Sequence, residues 1–254
     1  MLQALHQASQ YLAAAGISLL PNESDDSHTN LGWSIETASL TSRPLSTAGD
    51  CLALNLKAFA LEWWRQGQLV AHFPLTGKNH PETLNWLIQK SREAQLEKEY
   101  AFELHYELPY PEMTAETLHP AQEDRYSSES VIQGFTRAKE CLQQLLDRES
   151  LSSELRVWPH HFDLGAFATV IPEKQVAVGI GYAMPDSMID EHYFYMSAWQ
   201  ANKAISTMGF PKLSAGFWCD NPFSGAILRA SGQNPDSVEA FLAEAIHRFK
   251  EAMA

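Results

Sequence analysis

Residues 158–165 read WPHHFDLG, and this stretch concentrates the side chains best suited to chemistry. If 156–163 is extended, side chains alternate between two faces. His161 and Asp163 then share one face, while His160 and Phe162 share the other. A histidine beside a carboxylate suits two chemistries. It is a general base held in orientation by an acid, or it is two of the three protein ligands a catalytic metal requires. The downstream segment DEHYFYMSAW supplies a third group for either. His161, Asp163 and Glu191 form the expected catalytic set. His161, Asp163 and His192 form the expected metal set, for which a divalent ion such as zinc is the fitting cofactor. Trp158, His160, Tyr193 and Tyr195 are the expected ligand-lining residues, because aromatic bodies with polar tips suit a pocket wall. His72, His105 and Asp220 are further donors. The same stretch also reads as packing, with Trp158 and Phe162 in the core and the histidine hydrogen-bonded to the acid for structural reasons.

Other chemical signals are thinner. Cys219-Asp220 has no base beside it, and Ser224-Gly225 lacks the GxSxG elbow of a hydrolase. There is no P-loop, and Gly-Ile-Gly at 179–181 lacks the third glycine of a dinucleotide fingerprint, so no cofactor-binding residues are expected. Glu62-Trp63-Trp64-Arg65 offers a partner surface or a piece of core, and core is preferred.

The elements that must position these groups read as a repeat. TGKNHPETLNWLIQKSREA (76–94) resembles SGQNPDSVEAFLAEAIHRF (231–249), aligning Gly77 with Gly232 and Asn79 with Asn234. In the same register Ala71 falls on Ala226 and Trp63 on Trp218. HTNLG (28–32) similarly matches HFDLG (161–165). The second copy is about 22 residues longer, and MPDSMIDEHYFYMSAWQANK is the expected insert. Val238, Phe241, Leu242, Ala245, Ile246 and Phe249 follow helical spacing, with Asn234 as N-cap and Pro235 at the first turn. Leu84, Leu87 and Ile88 begin the same stripe in the first copy. Helices are also expected over 2–15 and 129–147.

Between the helices the pattern is strand-like. CLALNLKAF, LVAHFPL, LRVWPHHF, GAFATVI, QVAVGIGYA, HYFYMSAW and SGAILRA are β-branched, aromatic or alternating, and AFELHYELP (101–109) reads as a further strand. The polar stretch 111–130 reads as a connector. The expected fold is therefore α+β, an internal duplication of two helix–antiparallel sheet–helix units with pseudo-twofold symmetry. The units span 1–100 and 129–254, separated by a strand and connector at 101–128. A ligand cleft is expected at their junction.

Composition narrows the function. The net charge of −13 repels nucleic acid and anionic membranes, and the basic residues form no stripe. No apolar run is long enough to span a membrane, the first basic residue is Arg43, and three scattered cysteines make no disulfide framework. A cytoplasmic protein with a small-molecule partner is expected, either as an enzyme or as a non-catalytic binding or scaffold protein.

The combination of WPHHFDLG with IGIGYAMPDSMIDEHYFYMSAW, and of HYELPYP at 105–111, resembles an uncharacterised family of bacterial proteins. The resemblance covers 100–197. It marks His160, His161, Asp163, Glu191 and Tyr193 as motif positions and implies no activity.

Overall fold

The computed structural model describes residues 2–114, 119 and 125–253. Parts of the expected connector, 115–118 and 120–124, lie outside the described residues. Among the described residues, four α-helices and two antiparallel sheets make the chain α+β. It divides into two compact units, Met1–Gly134 with Val157–His160, and Phe135–Arg156 with His161–Ala254. Among the described residues no helix is long and apolar enough to cross a membrane.

The first unit opens with α1 (Leu2–Leu19) and continues through β1 (Gly32–Ser34), β2 (Ser39–Thr41), β3 (Asp50–Asn55), β4 (Ala60–Arg65) and β5 (Gln68–Pro74) to α2 (His80–Glu93). The strands pair in chain order as an antiparallel meander. Their register lines up Trp33, Leu40, Leu54, Leu61 and Phe73 in one cross-strand row. Leu52, Leu54 and Leu56 are buried, as their alternation predicts. α1 packs on β3. Asn79 caps α2, its Oδ1 accepting from the Glu82 amide at 2.9 Å while Glu82 accepts from the Asn79 amide at 2.9 Å.

Asp50 is a fully buried acid in this sheet. It accepts from Ser46 Oγ (2.6 Å), Trp63 Nε1 (2.8 Å) and Arg65 Nε (2.9 Å). Burial favours the neutral acid, but these three donors outweigh it and hold the carboxyl below its usual range. Its stabilising contribution is thus present above the ordinary carboxylate value and is lost as pH falls through the lowered one. Asp50→Ala is expected to cost about 3 kcal/mol at neutral pH, because it strands the buried indole N–H and the guanidinium. Urea unfolding at pH 7 and pH 3 checks this, since the cost should shrink at the lower pH.

Residues 101–109 correct one expectation. They form no strand. Phe102, Leu104, Tyr106 and Leu108 are half-buried while Glu103, His105, Glu107 and Pro109 are exposed. The alternation therefore reports an extended strap with one face turned inward, and such a strap needs no ladder partner to keep its period of two.

The short strand β6 (Arg156–Trp158) has Val157 and Trp158 in the first unit. The second unit takes the C-terminal part of α3 (Arg125–Arg148) and then β7 (Asp163–Ile171), β8 (Val176–Ala183), β9 (Tyr193–Gln200), β10 (Lys203–Ala204), β11 (Phe217–Cys219), β12 (Gly225–Arg229) and α4 (Pro235–Met253). Within the second unit the sheet order is β11-β12-β9-β8-β7, with β10 on β9. Its helix-facing side buries Val178, Ile180, Phe194, Met196 and Leu228, and α4 packs on β9 and β12. All six apolar positions of the expected α4 stripe are buried. Asn234 Oδ1 accepts from the Ser237 amide at 2.8 Å, as expected of an N-cap.

Candidate functional site

WPHHFDLG is not one extended strand. β6 ends at Trp158, a turn occupies 159–162, and β7 begins at Asp163. Pro159 supplies a fixed φ and no amide donor. Phe162 closes the turn in the left-handed region (φ 55°) and is fully buried, its ring edge-on to Phe135 at 5.5 Å. His161 and Asp163 therefore do not share a strand face, because alternation does not run through a turn. The division of the chain falls between His160 and His161.

On the first-unit side, the turn anchors a helix. Pro159 O accepts from His6 Nε2 (2.7 Å) and Gln10 Nε2 (2.8 Å), both on α1. His160 stacks at a tilt on Tyr106 (5.6 Å) and edge-on to Trp158 (6.2 Å). Tyr106 in turn donates to Gln10 Oε1 at 2.8 Å.

On the second-unit side, Asp163 is buried and accepts from the Tyr195 hydroxyl at 2.5 Å. Its other oxygen, Oδ1, is buried with no hydrogen-bond partner among the described residues. Burial pushes the carboxyl above its usual range, against the opposing pull of the Tyr195 bond and of His161 nearby. Register explains how Tyr195 reaches so far. Gly165, Gly181 and Tyr195 lie in one cross-strand row. The phenol covers Gly181 so closely that a Cβ there would sit 2.4 Å from its hydroxyl. Gly181, the second glycine of Gly-Ile-Gly, is thus with Gly165 the floor under a tyrosine. Tyr193 donates to Asp186 at 2.7 Å, so the two tyrosines serve separate acids.

Glu191 and His192 do not complete a set with Asp163. Glu191 pairs with Arg229 (3.0 Å) and accepts from the Ser231 amide (3.1 Å). His192 Nδ1 meets the Tyr182 hydroxyl at 2.7 Å. Among the described residues no three His, Cys, Asp or Glu side chains are grouped to hold a metal ion, so the expected set of His161, Asp163 and His192 is not assembled. Both Glu191 and His192 lie in the bend just before β9, Glu191 engaged with Arg229 and Ser231 and His192 with Tyr182.

The first unit holds a constellation that sequence reasoning missed. A cavity of about 530 Å³ lies between Gln7 of α1, His80 of α2 and the inward face of the strap, including Phe102, Leu104 and Tyr106. Its volume falls within the range of small-molecule pockets, roughly 300–1,000 Å³. His80 is buried and lines it. Its Nδ1 lies 2.9 Å from the Tyr11 hydroxyl, which lies 3.1 Å from His119 Nε2. Burial lowers the pKa of His80, and burial with His80 beside it pushes His119 down to about 4. Burial also raises the Tyr11 phenol. All three groups are therefore neutral near pH 7.

A tyrosine hydroxyl has one proton to give. If Tyr11 donates to His119, it accepts from His80 Nδ1–H and leaves His80 Nε2 a bare acceptor. If it donates to His80, Nε2 carries the proton and becomes a donor. His80 can thus present either character to the cavity without any charge being buried. The available signal was the buried face of α2, which runs His80, Thr83, Leu87 and Ser91 rather than through an apolar stripe. Comparison of the chain with family models, with curated proteins and with solved structures finds no match in any of the three.

Proposed function

We propose that the chain binds a small organic molecule in the cavity of the first unit, with His80 as its polar contact. The supporting observation is the state of His80. It is buried, it lines the cavity, and its Nδ1 is committed to Tyr11, so that Nε2 is the nitrogen to meet a ligand. In this reading Pro159 and His160 hold α1 and Tyr106 in place, so half of WPHHFDLG shapes the wall of the site without touching the reaction or the ligand. Whether binding leads to turnover depends on the ligand, since a histidine that changes from donor to acceptor serves recognition and acid–base chemistry equally.

The test is a ligand-observed NMR screen of mixed fragments against the full chain and against Leu104→Trp, which fills the cavity. Hits that vanish in the variant, with its melting temperature kept, support the reading. No hits, or hits indifferent to the variant, overturn it.

We also infer that the two units are copies of one ancestral helix–sheet–helix unit. Support comes from the last strand before each closing helix: β5 and β12 each run just ahead of a left-handed glycine, Gly77 or Gly232, and a capped helix. HTNLG and HFDLG also share a local course, each leaving a turn for a strand, β1 or β7. Matching sheet order aligns β5 with β12 and β4 with β9, which makes 201–224 the extra segment, with β11 outside β12, and leaves Trp218 without the expected match to Trp63.

A further inference from the structure

We propose that the ligand of the first-unit cavity is a small organic cation with an aromatic or apolar body, an inference that rests on the cavity reading above. Charge, wall chemistry and polar contact agree on this class. Two carboxylates, Glu107 and Glu112, line the cavity and are exposed, which places them at its mouth. Among the described residues no lysine or arginine lines it, and the net charge of −13 adds to the same sign of field. The walls carry Phe102, Tyr106 and Tyr110, whose ring faces attract an ammonium and exclude an anion. His80 brings no positive charge that would favour a carboxylate or phosphate.

The strap unites these features through its period of two. Phe102, Leu104, Tyr106, Leu108 and Tyr110 turn inward, and Glu107, exposed between two of them, stands at the rim of the cavity. An ammonium at the mouth would meet carboxylates and ring faces, while the body of the ligand extends towards His80. A hydroxyl, carbonyl or amide on that body would pair with His80 Nε2 as acceptor or donor.

The experiment is calorimetric titration of the full chain with phenethylamine, its neutral isostere 2-phenylethanol, and the anion 3-phenylpropionate. The amine is expected to bind at least tenfold tighter than either. Binding should weaken several-fold in Glu107→Gln/Glu112→Gln, whose exposed side chains leave the melting temperature unchanged, and in high salt. Equal or tighter binding of the alcohol or the anion overturns the cationic class and leaves the cavity reading standing. The cationic class falls in the same way if none of the three binds while the fragment screen still returns hits that Leu104→Trp abolishes. Failure of both probes and screen overturns the cavity reading itself.

Discussion

Gly181→Ala is expected to destabilise the chain by about 3–5 kcal/mol, the sum of overpacking and of a lost buried hydrogen bond. The added methyl would stand 2.4 Å from Tyr195 Cζ and from its hydroxyl, and the contact is with the rigid ring. The phenol must lift away, which uncovers the sheet and takes the donor from Asp163. Urea unfolding measures the shift. Because the clash needs the ring, Gly181→Ala combined with Tyr195→Ala should cost much less than the two single changes added together. Additive costs would mean that Gly181 matters for its backbone alone.

Tyr195→Phe keeps the ring and removes the bond, leaving both oxygens of Asp163 buried without a hydrogen-bond donor. The expected loss is about 2–3 kcal/mol at pH 7. Its pH dependence is the sharper test. The folded carboxyl already titrates above its ordinary value, so the folded state binds more protons than the unfolded one across that window. Stability therefore falls as pH rises from the ordinary carboxylate value to the raised one, and is recovered in acid. Since the Tyr195 bond lowers that raised value, the variant should extend the decline to higher pH, and its deficit against the parent should grow with pH. Asp163→Asn should remove this decline from both backgrounds. A deficit independent of pH would assign Tyr195 a packing role in which Asp163 takes no part.

Much of the fold was legible because burial imposes periods. The stripe of α4, the alternation of β3 and the Asn caps of α2 and α4 all follow from one-dimensional spacing. Periods also mislead where their cause is different. The strap at 101–110 alternates because one side faces the cavity, and alternation cannot report the absence of a ladder partner. WPHHFDLG reads as extended from its aromatic and histidine content, yet Pro159 and the left-handed Phe162 turn the chain inside it.

The site was harder still. Asp163 stands out in the sequence as an acid of consequence, but its partner Tyr195 lies 32 residues away and is set by register across β8. Tyr11, His80 and His119 carry no local signature, since three single polar residues from three separate segments meet only once the helices and strap are placed. Histidine density draws attention to 160–161, whereas the histidine facing a cavity stands singly at the first turn of α2.

The most direct test of ligand binding in the first-unit cavity is the long-range ¹H–¹⁵N spectrum of the histidine rings, recorded on the full chain with and without the fragment mixture. His80 Nε2 is predicted to move on binding, with His119 following through Tyr11 and exposed His247 staying still. Binding that leaves His80 and His119 unmoved while His161 or His192 responds would contradict this, and would return the ligand to the second unit.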